Sequence, residues 1–170
     1  LVLALILNSC GTQQKAAAPV VAPVVQEPVV AVEPLAEVIS IVEALDMYQN
    51  PDKVDAITKK YGYKLKTNYE VYRLDKFNKM YYKNCVLAKL LTADKYEDYP
   101  KPMRKGVSSY VAFKDGAIII AVFNQPAYDN LVAQVKAAGF TLDMPGSEDI
   151  YTNGSRTIAC YKDGKSVRIQ

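Results

Sequence analysis

The chain has 170 residues, half of them apolar, and a net charge of +3, which is enough apolar material for one compact core. It contains no histidine, so the commonest general base and the commonest transition-metal ligand are missing. Ser-His-Asp and Cys-His catalysis are excluded, and no Gly-rich phosphate loop, paired-cysteine zinc spacing or calcium-loop spacing stands in their place.

The first element is the apolar run Leu1 to Leu7, which stops at Asn8-Ser9-Cys10-Gly11. So short a run cannot cross ~30 Å of hydrocarbon, for which a helix needs roughly 20 residues, but it suits the apolar core of a secretory signal. Leu7 three places before the cysteine and the small Ser9 directly before it resemble the lipobox of bacterial lipoproteins. That resemblance implies a signal peptide over 1–9, truncated at its front, and lipidation of Cys10 with fatty-acyl chains such as palmitate. Gly11 is not the aspartate that retains such proteins at the inner membrane, so the resemblance further implies an outer-membrane protein facing the periplasm.

Residues 10–36 read as a tether. From Ala16 to Ala36 the composition is almost all Ala, Val, Pro and Glu, with Pro19, Pro23, Pro28 and Pro34 spaced along it and no helical or alternating period. At ~3.1 Å per residue, a Pro-rich chain of this length reaches up to roughly 65 Å from the membrane.

Residues 37–170 are expected to form a single α+β domain, an antiparallel sheet with packed helices. Leu35, Val38, Ile39, Val42 and Leu45 sit at helical spacing, although the run Val38 to Val42 also suits a strand. Asn50-Pro51 predicts the cap and first turn of a short helix that stops at Gly62, with short strands after it near Tyr63 to Lys66 and Tyr69 to Arg73. Leu74, Phe77, Tyr81, Cys85, Ala88 and Leu91 recur at intervals of three and four, predicting an amphipathic helix over Asp75 to Thr92. Lys114-Asp115-Gly116 between two apolar runs predicts a hairpin, because such a turn needs positive φ. Pro126 to Ala138 reads as a helix closed by Gly139, and the turns at Asn153-Gly154 and Asp163-Gly164 predict a closing β meander.

Tyr61-Gly62-Tyr63-Lys64-Leu65 matches Ala138-Gly139-Phe140-Thr141-Leu142, and Phe113-Lys114-Asp115-Gly116 matches Tyr161-Lys162-Asp163-Gly164. These pairs suggest a tandem helix-plus-hairpin repeat with an insertion over roughly Lys76 to Lys105. Such a layout is similar to that of beta-lactamase-inhibitor-like proteins and small outer-membrane-assembly lipoproteins, a resemblance that carries no functional residues with it.

Charge and aromatic content point to a binding surface. Between Lys53 and Lys105 there are 14 Lys/Arg against 6 Asp/Glu, whereas from Gly106 onward the balance is 6 against 6. Tyrosine is abundant, 13 against 4 Phe and no Trp, and several alternate with lysine. Tyrosine couples apolar area to a polar tip and is over-used at interfaces. The expected partner-binding set is Lys79, Tyr82, Lys83, Tyr96, Tyr99, Lys101 and Arg104, directed at an envelope protein or an anionic glycan. Nucleic acid is not expected of an exported, lipid-anchored chain, and neither a catalytic group, a cofactor nor a metal is expected.

The rival reading is a hydrolase acting on envelope glycans with carboxylates such as Glu148 and Asp149. Asp94, Glu97 and Asp98 are interleaved with Lys95, Tyr96 and Tyr99 and read as a solvated loop. Cys85 and Cys160 read as small buried hydrophobes, with a disulfide permitted but not required.

Overall fold

The computed structural model describes residues 31–71, 75–87, 90–92, 95–96, 100–104 and 106–170. The chain is α+β. Its first helix, α1, runs over Ile41–Gln49, and Ser40 sets where it starts. Ser40 Oγ accepts from the Glu43 backbone N–H at 3.2 Å while the Glu43 carboxylate reaches back to the Ser40 N–H. Val38 and Ile39 therefore precede the helix and are buried, while Ile41, Ala44 and Met47 turn to the core. Val42, expected on the apolar stripe, is 67% exposed because this cap shifts the helix frame.

Asn50 does not cap the second helix. Its side chain donates to Asp46 Oδ1 at 2.7 Å, and a single 3₁₀ turn, Pro51–Lys53, leads into α2, Val54–Lys60. Strand β1, Lys64–Val71, is continuous where two short strands were expected, with Asn68 at φ 49° in its middle.

The expected helix over 75–92 is replaced by strands. These are β2 (Asp75–Lys83), β3 (Cys85–Val86) and β4 (Leu90–Thr92), and two short strands follow, β5 (Lys95–Tyr96) and β6 (Lys101–Pro102). The physical reason lies in the packing. Phe77 and Met80 pack on one face of the sheet and Tyr81 on the other, so the apolar residues of β2 are divided between two faces rather than gathered into one helical stripe. Met80 and Tyr81 are both buried, as consecutive residues are in a strand covered on both faces. Tyr and Phe favour that pleated, doubly packed environment.

The second half agrees closely with the sequence signals. Strands β7 (Ser109–Lys114) and β8 (Ala117–Val122) meet in a turn with Asp115 at φ 49° and Gly116 at 78°, the geometry that Asp-Gly supplies. Helix α3, Gln125–Ala137, begins at Asn124, whose Oδ1 accepts from the Ala127 N–H at 2.8 Å. Then come β9 (Thr141–Met144), β10 (Glu148–Thr152), β11 (Thr157–Tyr161) and β12 (Ser166–Ile169).

Eight of these strands form one antiparallel sheet in the order β1-β2-β7-β8-β12-β11-β10-β9. One face carries the main core, where Ile41, Met47, Leu131 and Val135 of the helices meet Val111, Ile120, Ile158 and Val167. The other face carries a smaller cluster of Tyr69, Phe77, Met80 and Ala112, with Leu87, Tyr110 and Ile119 packed against it. Ile118-Ile119-Ile120 serves both clusters in turn, which is why β8 reads as an unbroken apolar run.

The lead-in to α1 is fastened to the helical layer. Asn130 Nδ2 donates to the Glu33 carbonyl at 3.0 Å, Leu35 packs on the main core, and the Ile39 N–H donates to Tyr63 Oη at 3.4 Å.

Candidate functional site

The helix-free face of the sheet holds a groove of about 410 Å³. Strand alternation puts Tyr110, Ile119 and Ala121 on its floor, since Val111 and Ile120 face the helices, while Val122 at the end of β8 touches both the groove and the main core. Phe77 of β2 and Pro100 line one side. Tyr161, Gly164 and Ser166 of the β11–β12 hairpin line the other, and Phe123 closes the end of β8. The Tyr110 and Phe123 rings meet edge to face with centroids 6.2 Å apart.

The hairpin wall depends on a glycine. A Cβ at Gly164 would lie 2.5 Å from Cδ1 of Tyr161, so only glycine lets the ring lie back against the turn. The Val122 N–H donates to the Lys165 carbonyl at 3.0 Å and ties this wall to β8.

The rim is basic. Lys101 beside Pro100 and Lys162 beside Tyr161 are exposed, Lys165 beside Gly164 is half-buried, and Asp163 is the acid among them. Arg168 pairs with Ile119 across the sheet and shares its face. Its Nη2 donates to Glu148 Oε2 at 2.6 Å, while its Nε is buried without a hydrogen-bond partner.

Of the expected partner-binding residues, Lys79, Tyr82 and Lys83 lie on a strand rather than on a helix. Lys79 is exposed on β2 opposite Phe113, and Tyr82 is half-buried opposite Tyr110. Lys83 is not a free charge: its Nζ lies 2.5 Å from Glu37 Oε2 and is largely covered. The hydrogen bond and charge of Lys83, joined by the charge of Arg104, hold the Glu37 carboxyl below its usual range. Lys83 and Arg104 thus both act on the lead-in. Lys101 is exposed in β6, and Arg104 is exposed with its N–H donating to Ser108 Oγ at 3.1 Å. Tyr99, the side chain of Tyr96 and the lipidation candidate Cys10 lie outside the described residues.

Sequence reasoning missed Phe77, Tyr110, Phe123 and Tyr161 as a group. The signal that was available is the alternation within β7 and β8, which places Tyr110 on the face opposite Val111.

The carboxylates named for hydrolysis do not converge. Glu148 and Asp149 are consecutive in β10 and so point to opposite faces. Glu148 is engaged by Arg168, and Asp149 Oδ1 accepts from the Gly146 N–H at 3.1 Å. Asp94, Glu97 and Asp98 lie outside the described residues. Among the described residues no group of His, Cys, Asp and Glu is arranged to hold a metal ion.

Cys85 and Cys160 are buried and unpaired. Burial pushes the Cys85 thiol up to about 11 and the Cys160 thiol up to about 12, so neither is a poised nucleophile.

No family model matches the chain, and no curated protein or solved structure does.

Proposed function

We propose that this is a bacterial lipoprotein, anchored through Cys10 in the outer membrane and facing the periplasm, whose domain binds a protein partner without catalysis. Residues 1–9 are its signal, 10–36 its tether and 37–170 its binding domain. The observation that carries the reading is the aromatic groove on the helix-free face, with its basic rim. Its size lies in the ~300–1,000 Å³ range of ligand-accepting clefts. The Glu33 carbonyl is held by α3, so the tether joins the domain on the layer opposite the groove and leaves that face uncovered by its attachment point.

The domain is a tandem repeat in this reading. Each half runs helix, glycine at positive φ (Gly62 at 75°, Gly139 at 86°), then a four-stranded meander. The two meanders meet at β8 and β12, which gives the sheet order its mirror pattern. Strand β2 is then the counterpart of β10 and β7 that of β11, and the insertion begins after Lys83 rather than at Lys76.

Two measurements test the proposal. Labelled palmitate should enter the wild-type chain and not Cys10→Ala, which should leave the membrane fraction. Tyr161→Ala should lose the envelope partner while retaining anchor and fold; unchanged capture, or absence of label from wild type, overturns the corresponding part.

A further inference from the structure

We infer that the groove takes an acidic, extended segment of a partner protein, with one large apolar side chain seated among Phe77, Tyr110, Phe123 and Tyr161. The inference rests on the groove being the binding site and names the chemistry that fits it.

The floor and the rim make different demands. Ile119 and Ala121 offer no polar group, and the surrounding rings favour an aromatic or branched apolar side chain over a hydroxylated sugar. A cleft of this kind, enclosed by aromatic side chains, is where an interface concentrates its affinity. The rim selects by charge. Exposed Lys101 adjoins Pro100 on one wall, exposed Lys162 adjoins Tyr161 on the other, Lys165 follows Gly164, and Asp163 offsets only one of the three. Carboxylates flanking the seated side chain would meet positive charge on either side. Exposed pairs of this kind are screened beyond about 8–10 Å, so they steer and align the segment while the apolar contact holds it.

The test uses the full chain and three labelled peptides monitored by fluorescence anisotropy. One has a central Phe between Asp and Glu flanks, the second has Lys flanks, and the third replaces the Phe with Ala. The acidic Phe peptide should bind, and the other two should be weaker by about tenfold or more, the factor that ~1.4 kcal/mol represents. The double variant Lys101→Glu/Lys162→Glu, altered only at exposed positions, should reverse the preference between flanks. Equal affinity for acidic and basic flanks overturns the inference, as does displacement of the acidic peptide by hyaluronate, which brings carboxylates without an apolar anchor. If no peptide binds while Tyr161→Ala still abolishes partner capture, the acidic-segment inference falls and the groove remains the binding site. If Tyr161→Ala also leaves capture unchanged, both fall.

Discussion

Gln134, buried in α3, accepts a hydrogen bond from the Ile41 backbone N–H at 2.9 Å and so completes the first turn of α1 from far along the chain. That N–H is one of the donors a helix leaves unmet at its start. The Gln134 amide in turn donates to Asn130 Oδ1 at 2.7 Å, and Asn130 holds the Glu33 carbonyl. Two helices and the lead-in thus share one polar chain inside an apolar layer.

Replacing Gln134 with Leu keeps the volume and strands the Ile41 donor. The expected loss is about 1–3 kcal/mol, the usual cost of an unsatisfied buried polar group. Denaturant unfolding of the full chain checks it; a loss below about 0.5 kcal/mol would show that the bond contributes little.

Gly164→Ala forces a methyl group into the Tyr161 ring. The ring must leave the hairpin wall, and overpacking of this kind costs about 1–3 kcal/mol. Groove binding should fall with it. A variant that keeps both stability and binding would show that the ring moves freely.

Both thiols should be silent in the native state. Their folded pKa values are raised, so the stability they contribute is present below the unfolded value, near 8.5–9, and is lost as pH climbs toward 11–12. With Cys10 replaced by Ser, a thiol reagent at pH 8 should react only as fast as the chain unfolds. Rapid labelling of Cys85 without denaturant would contradict the burial argument.

Glu43 gives the opposite pH signature. Burial alone would raise its carboxyl, but hydrogen bonds from Tyr61, Lys60 and Ser40 outweigh burial and hold it below the usual range. A lowered folded pKa stabilises above the unfolded value of about 4.3, and that stabilisation disappears as pH falls through the folded value. Thermal unfolding should therefore show acid destabilisation below about pH 4.3 that Glu43→Gln reduces. An identical acid limb in the variant would place the titration on another group.

Local punctuation was readable in the sequence, and long-range adjacency was not. Asp115-Gly116, Gly139 and the apolar face of α3 marked out the second half because each signal is satisfied within a few residues. The Ser40-x-x-Glu43 capping box was also legible and sets the start of α1 better than apolar spacing does. The region after Asp75 misled because apolar residues at intervals of three and four mimic one helical stripe while β2 shares them between two sheet faces; pairing with β1 and β7 decides between the two, and that depends on distant chain. The groove is the extreme case. Its rings come from β2, β7, the end of β8 and the last hairpin, and only the sheet order brings them together.

The most direct measurement is photo-crosslinking in intact bacteria, with a photoreactive residue placed at one position of the full chain. Tyr161 is 37% exposed on the groove wall, and Val42 is 67% exposed on α1 across the sheet. The account predicts a discrete protein adduct from position 161 and none from position 42. An adduct at 42 with none at 161 would move the binding surface to the helical layer and contradict it.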